Sequence, residues 1–218
     1  MKKLLSILII SLCVLFIQGN VFAQRESGNA WASPMISISS LNGGNDVVDY
    51  YGMEANVINS FAWGFDLGYD FNKMYMFISI EEENTNLDKD NQTLKIKTNN
   101  ASLNFAYPLW QTKSQKFSLD FRLGLGVYGA DISYAKEIAG STRPLNVSIK
   151  QNYNLFLPVG LTLNLFKTNK TIVRLSCLYR HSFDTGTTKY FGSDKKDSNY
   201  PFNKLGSLSL NLGCAFGI

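Results

Sequence analysis

Between residues 61 and 71 the chain alternates without a break. Phe61, Trp63, Phe65, Leu67, Tyr69 and Phe71 are large and apolar, whereas Ala62, Gly64, Asp66, Gly68 and Asp70 are small or acidic. Successive side chains of a β-strand point to opposite faces, so the segment predicts a strand with one greasy face and one wet, narrow face. The period recurs in residues 117–129, where Phe117, Leu119, Phe121, Leu123, Leu125 and Val127 oppose Ser118, Asp120, Arg122, Gly124 and Gly126. Residues 153–166, 172–183 and 208–218 repeat it, and 31–40, 74–83 and 92–107 follow it less regularly, which makes eight predicted strands. No helical period competes. Within 92–107 the apolar set changes step, from Leu94 and Ile96 to Leu103, Phe105 and Tyr107, and this predicts a bulge near Asn99-Asn100.

The links between strands sort into two kinds. Asn72-Lys73, the stretch 111–115 and the stretch 167–170 are short, while 41–54, 83–92, 131–150 and 184–204 are longer and polar. Short and long alternate strictly, as an up-and-down meander requires when one rim differs from the other. A two-residue loop at Asn72-Lys73 would pair Phe71 with Met74 and send Met76, Ile78 and Ile80 to the apolar face. It would also set Tyr75 opposite Asp70, Phe77 opposite Gly68 and Glu81 near Gly64.

Alternation alone does not say which face is inside. The polar face is mostly Gly, Ala, Ser, Thr and Asn rather than the Lys and Glu of a soluble exterior, and small residues suit the narrow interior of an eight-stranded barrel. Rims of short turns and of long loops are the plan of outer-membrane barrels. With the apolar face toward lipid, Asp66, Asp70, Glu81, Asp120, Arg122, Arg174 and Arg180 all fall inside. Turning an arginine toward the bilayer would cost up to about 2–4 kcal/mol at mid-depth. The expectation is an all-β fold, a single eight-stranded antiparallel up-and-down transmembrane β-barrel. A soluble barrel enclosing a lipid is the alternative, with the faces reversed.

The N-terminus changes the picture further. Lys2 and Lys3 precede an apolar run from Leu4 to Ile17, and Val21-Phe22-Ala23 has small residues where a signal peptidase reads. The run falls short of the ~20 residues that span a bilayer. Residues 1–23 are therefore expected to be a cleaved signal peptide and 24–218 the barrel domain. Without Lys2 and Lys3 the formal charge falls from +4 to +2, which points away from a nucleic-acid partner. The charged fraction of 17% is below the ~25% of soluble domains.

Signal peptide, eight alternating strands, short-turn rim and the apolar last strand ending Phe216-Gly217-Ile218 together resemble the small outer-membrane β-barrels of the OmpA/OmpX type. Leu157-Pro158-Val159-Gly160-Leu161 is similar to segments of the outer membrane protein beta-barrel domain proteins of Gram-negative bacteria. The resemblance spans the mature chain and implies residence in the outer membrane. The chain departs from the pattern at Ile218, where the family often ends in an aromatic, and no peptidoglycan-binding domain is expected. Pro158 in mid-strand predicts a local bulge.

Candidate chemistry is sparse. The seven interior charges could form a plug, a gate or a proton path, and a structural salt-bridge network is the preferred reading. His181 and Ser182 are adjacent, so their side chains should face opposite sides, and Phe183 stands where the His-x-Ser motif of lipid A deacylases would need its serine. No catalytic residue, cofactor or metal is expected. Glu81-Glu82-Glu83 with Asp88 and Asp90, and Asp194 with Asp197, lack calcium-loop spacing and are expected in solvated loops. Cys177 and Cys214 are expected on the lipid face at similar heights. Trp31, Tyr107, Trp110, Tyr153 and Phe183 are expected in interfacial girdles. Expected partners are the lipid bilayer of the outer membrane and an extracellular protein or glycan met by loops 131–150 and 184–204, through Tyr134, Tyr190, Phe191, Tyr200 and Phe202. The runner-up is an accessory barrel of an outer-membrane export or assembly machine. A diffusion pore and a lipid A-modifying enzyme rank lower.

Overall fold

The computed structural model describes residues 30–42, 48–53, 59–71, 74–114, 116–137, 145–168, 171–183, 188–190, 196–197 and 206–217. The expected signal peptide and cleavage site, and most of 184–204 with Phe191, Tyr200 and Phe202, lie outside them. Eight long strands form the wall: β1 (Ala30–Asn42), β2 (Asn59–Phe71), β3 (Met74–Lys89), β4 (Gln92–Gln111), β5 (Ser118–Lys136), β6 (Leu145–Leu165), β7 (Thr171–Ser182) and β10 (Gly206–Gly217). Each pairs antiparallel with its neighbour in sequence order, and β1 pairs with β10 to close the ring. Two short strands, β8 (Thr188–Tyr190) and β9 (Lys196–Asp197), branch from the outer part of β6. The fold is an eight-stranded antiparallel up-and-down barrel.

The β2–β3 hairpin has the anticipated register: Phe71 opposite Met74, Asp70 opposite Tyr75, Gly68 opposite Phe77 and Gly64 opposite Glu81. Outward positions such as Phe65, Leu67, Ile78, Ile80, Leu103, Phe105, Leu123, Leu125, Leu210 and Leu212 are large, apolar and exposed. On β2 this face runs from Phe61 to Phe71. Ten steps of about 3.3 Å, tilted about 40°, span about 25 Å along the barrel axis, the height of a lipid-facing belt. At its upper edge Trp63 stands opposite Glu82. Glu82 there binds Lys97 Nζ at 2.8 Å and accepts from Asn84 Nδ2 at 3.1 Å.

Several local expectations are corrected. The link 83–92 is no long loop: β3 and β4 stay paired to Lys89 and Gln92, and only Asp90 and Asn91 turn, at φ +47° and +60°. Two consecutive left-handed residues make the tight turn whose twist matches a hairpin. The link 131–150 is likewise mostly strand, since β5 runs to Lys136 and β6 begins at Leu145. There is no bulge at Asn99-Asn100, because β3–β4 and β4–β5 pair straight through it. The inward set stays on even positions from Leu94 to Ala106; only its chemistry changes, apolar above the belt and polar within it. Nor does the register slip at Pro158. The shift in β5–β6 lies between Tyr128 and Ala130, and the Pro158 ring packs inward over Gly124, where it meets no Cβ.

Candidate functional site

From the rim of short turns upward, the interior is built in layers. At the bottom Trp31 is fully buried on the inward face of β1, not in a girdle, since it shares parity with Ser33, Met35 and Ser37. Its ring lies against Gly68, where any Cβ would overlap it. Trp31 Nε1 donates to Asp70 Oδ1 at 2.9 Å, and Tyr75 Oη donates to Asp120 Oδ2 at 2.8 Å. The Arg174 guanidinium sits 3.8 Å from the Trp31 ring and 5.0 Å from that of Tyr75. Two aromatic faces thus cover the buried Arg174 cation, in a layer that also carries the anchored carboxylates of Asp70 and Asp120.

One layer higher, Arg122 donates from Nε to Asn104 Oδ1 at 3.1 Å and from Nη2 to Ser79 Oγ at 2.9 Å, with its guanidinium 4.5 Å from the Phe77 ring. Ser79 donates in turn to Asp66, so the serine hydroxyl relays between Arg122 and Asp66. Above this, Arg180 forms an ion pair with Glu81 and lies 3.5 Å from Glu83 Oε2. Glu83 also accepts from Ser39, Ser60 and Thr98, and Arg180 Nη1 donates to Ser207 at 3.3 Å.

All seven expected interior charges occupy inward positions, six of them buried and Asp70 half-buried. They divide among three layers rather than meeting in one cluster. Glu83 belongs with them, and neither it nor Glu81 lies in the solvated loop expected for the acidic run. Period two carries on through Glu81-Glu82-Glu83, burying the outer pair and leaving Glu82 outside. Arginine does not meet each acid directly: a tryptophan, a tyrosine and a serine spread the charge across neutral donors, which limits the desolvation each ion suffers.

A second core sits above the charges. Leu94, Ile96, Tyr128, Ala130, Ile132, Tyr134, Ile149 and Phe156 pack inward from β4, β5 and β6. Val48 and Met53, from a single turn between β1 and β2, are buried against them. That turn is pinned by Met53 N donating to Val48 O at 2.9 Å, and Tyr51 stacks on Tyr134 at 4.3 Å between ring centroids. Tyr134 is therefore core, not an exposed loop aromatic.

His181 faces outward between Tyr179 and Phe183, whereas Ser182 is buried and hydrogen-bonded to Tyr128 Oη at 2.8 Å. Cys177 pairs across from Leu210 and Cys214 from Val173, so the cysteines stand four residues apart in register, at different heights and both free; Cys177 is exposed, whereas Cys214 is buried rather than open to lipid as expected. Tyr107, Trp110 and Phe183 are exposed on the outer surface. Among the described residues no group of three or more His, Cys, Asp or Glu side chains is arranged to hold a metal ion.

A closed ring of eight tilted strands, an apolar exterior belt and unequal rims make this the fold of the eight-stranded outer-membrane β-barrels. A major outer membrane protein of Thermus thermophilus superposes with a TM-score of 0.50 at 12% identity, over 86% of this chain and 99% of that one. Neisserial surface protein A aligns over 88% and 100% of the two chains with a TM-score of 0.48 and 14% identity. The outer membrane protein OprG from Pseudomonas aeruginosa aligns over 90% and 99%, with a TM-score of 0.49 and 11% identity. The sequence matches no family model and no curated protein.

Proposed function

We propose that the protein is an integral outer-membrane barrel, exported by a cleaved signal peptide at 1–23, with residues 24–218 forming a closed barrel that works at the cell surface. The observation that carries this reading is the coincidence of a lipid-height apolar belt with an interior filled by side chains. An apolar exterior of this height needs lipid against it, and a lumen occupied by the Arg174, Arg122 and Arg180 layers leaves no path for solute. The network's role is structural: it offsets most of the buried charge, leaving Arg174 Nε and Asp120 Oδ1 without a hydrogen-bond partner, and keeps the lumen shut. Catalysis is disfavoured because His181 and Ser182 occupy opposite faces of the wall.

Interaction then falls to the outer extension, the projecting ends of β3 to β6 with β8 and β9, and to the link 184–204. An extracellular protein or glycan is the partner class. Two measurements test this. Liposomes carrying the purified protein should show no small-ion flux above protein-free liposomes. Cells displaying it should bind an array of immobilised glycans and matrix proteins, and should lose that binding when 184–204 is replaced by a short Gly-Ser linker. Measurable flux, or adhesion unchanged by the replacement, would contradict the proposal.

A further inference from the structure

The two rims carry opposite charge. The short turns contain Lys73, Lys113, Lys116, Lys167 and Lys170 and no acidic residue. The outer links, at 43–58, 90–91, 137–144 and 183–205, hold eight acidic against five basic residues. The cationic rim also carries large exposed side chains. Trp110 is 56% exposed, Phe166 65%, and Tyr107 and Leu109 stand beside them.

The turns β4–β5 and β6–β7 are joined into one surface. Lys167 N donates to Lys116 O at 3.0 Å, and the Phe117 and Phe166 rings meet edge-on at 5.7 Å. Phe166 adopts φ +51°, a conformation a bulky L residue rarely takes, with its ring still outside the barrel. Lys113 and Lys116 are exposed on the same surface. Exposed lysines thus share with aromatic rings the lower edge of the apolar belt, the depth of phospholipid headgroups.

We infer that this rim is a binding surface for anionic phospholipid headgroups, with the lysines pairing to phosphate and Trp110, Phe166 and Leu109 anchoring among the upper acyl carbons. Charge complementarity selects the occupant: a zwitterionic headgroup returns a cation beside each phosphate, whereas an anionic one leaves the lysine field uncompensated. The inference rests on the barrel lying in a membrane, as proposed above.

Tryptophan fluorescence separates the two claims. Trp31 is buried in the lumen, whereas Trp63 and Trp110 mark the upper and lower edges of the belt. A Trp63→Phe protein is placed in vesicles containing either brominated phosphatidylglycerol or brominated phosphatidylcholine, and quenching of Trp110 is compared. The expected result is a preference for the anionic lipid of about fivefold for each lysine engaged at low salt. It should shrink in high salt and vanish in a Lys113→Gln, Lys116→Gln, Lys167→Gln variant. In a Trp110→Phe protein, quenching of Trp63 should show no such preference. Equal quenching of Trp110 by both lipids would overturn the headgroup inference alone. No quenching by either would overturn the membrane reading and this inference with it.

Discussion

Gly68 shows how a single residue is constrained by what lies across the lumen. Trp31 and Phe77 both press on the space its missing side chain leaves. Gly68→Val should therefore cost about 1–3 kcal/mol through displacement of the Trp31 ring, read as a shift in urea unfolding of the lipid-bound protein. An unchanged midpoint would mean the ring is not seated there. Arg180 poses the opposite problem, because deleting it leaves Glu81 and Glu83 buried without their cation. Arg180→Leu should cost about 3–5 kcal/mol, and adding Glu81→Gln with Glu83→Gln should recover much of it. A single variant as stable as wild type would show that the layer carries no linked charge. The seven charges expected inside can be assigned there from parity, because lipid tolerates charge poorly on the other face, whereas Glu83 is hidden in what reads as a polar link. Trp31 is harder: an aromatic at a strand end fits a girdle by position, and only its step with Ser33 and Met35 betrays the lumen.

At the scale of elements, strands and their order are legible because period two is enforced wherever one face meets lipid and the other a packed interior. The outer ends of β3, β4 and β5 are less legible for a physical reason. Above the belt, water replaces lipid outside, so the apolar side chains move inside without any change of register. Leu94, Ile96 and Ile132 thus look out of step in the sequence although they share parity with Asn104 and Arg122. That outer core makes its own prediction. Ile132→Ala should cost about 2–5 kcal/mol locally. Amide exchange should quicken at the ends of β4, β5 and β6, with the belt strands unaffected. Uniform acceleration would mean the barrel opens as one unit. The Asp90-Asn91 turn offers a sharper probe, since its positive φ values suit glycine and penalise β-branching. Asn91→Gly should be tolerated, and Asn91→Ile should cost about 1–2 kcal/mol and loosen the hairpin tip in the same exchange experiment.

Taken whole, the molecule is a cylinder whose environment changes along its length: a cationic aromatic rim, a belt of lipid height around layered charge, and an apolar core under the outer turn at Val48–Met53. The partner proposed for the outer links is not legible in the sequence, because any recognition by loops would depend on their shape, whereas the barrel follows from period and polarity. The central claim is that the apolar face looks outward into the outer membrane around a closed, filled lumen. Electrophoresis of the outer-membrane fraction in detergent, with and without boiling, tests it most directly. The protein should be found in that fraction and migrate as a compact band unheated and a slower, unfolded band after boiling. A band in the soluble periplasmic fraction whose mobility ignores heat would contradict it, and would turn the apolar face inward around a ligand.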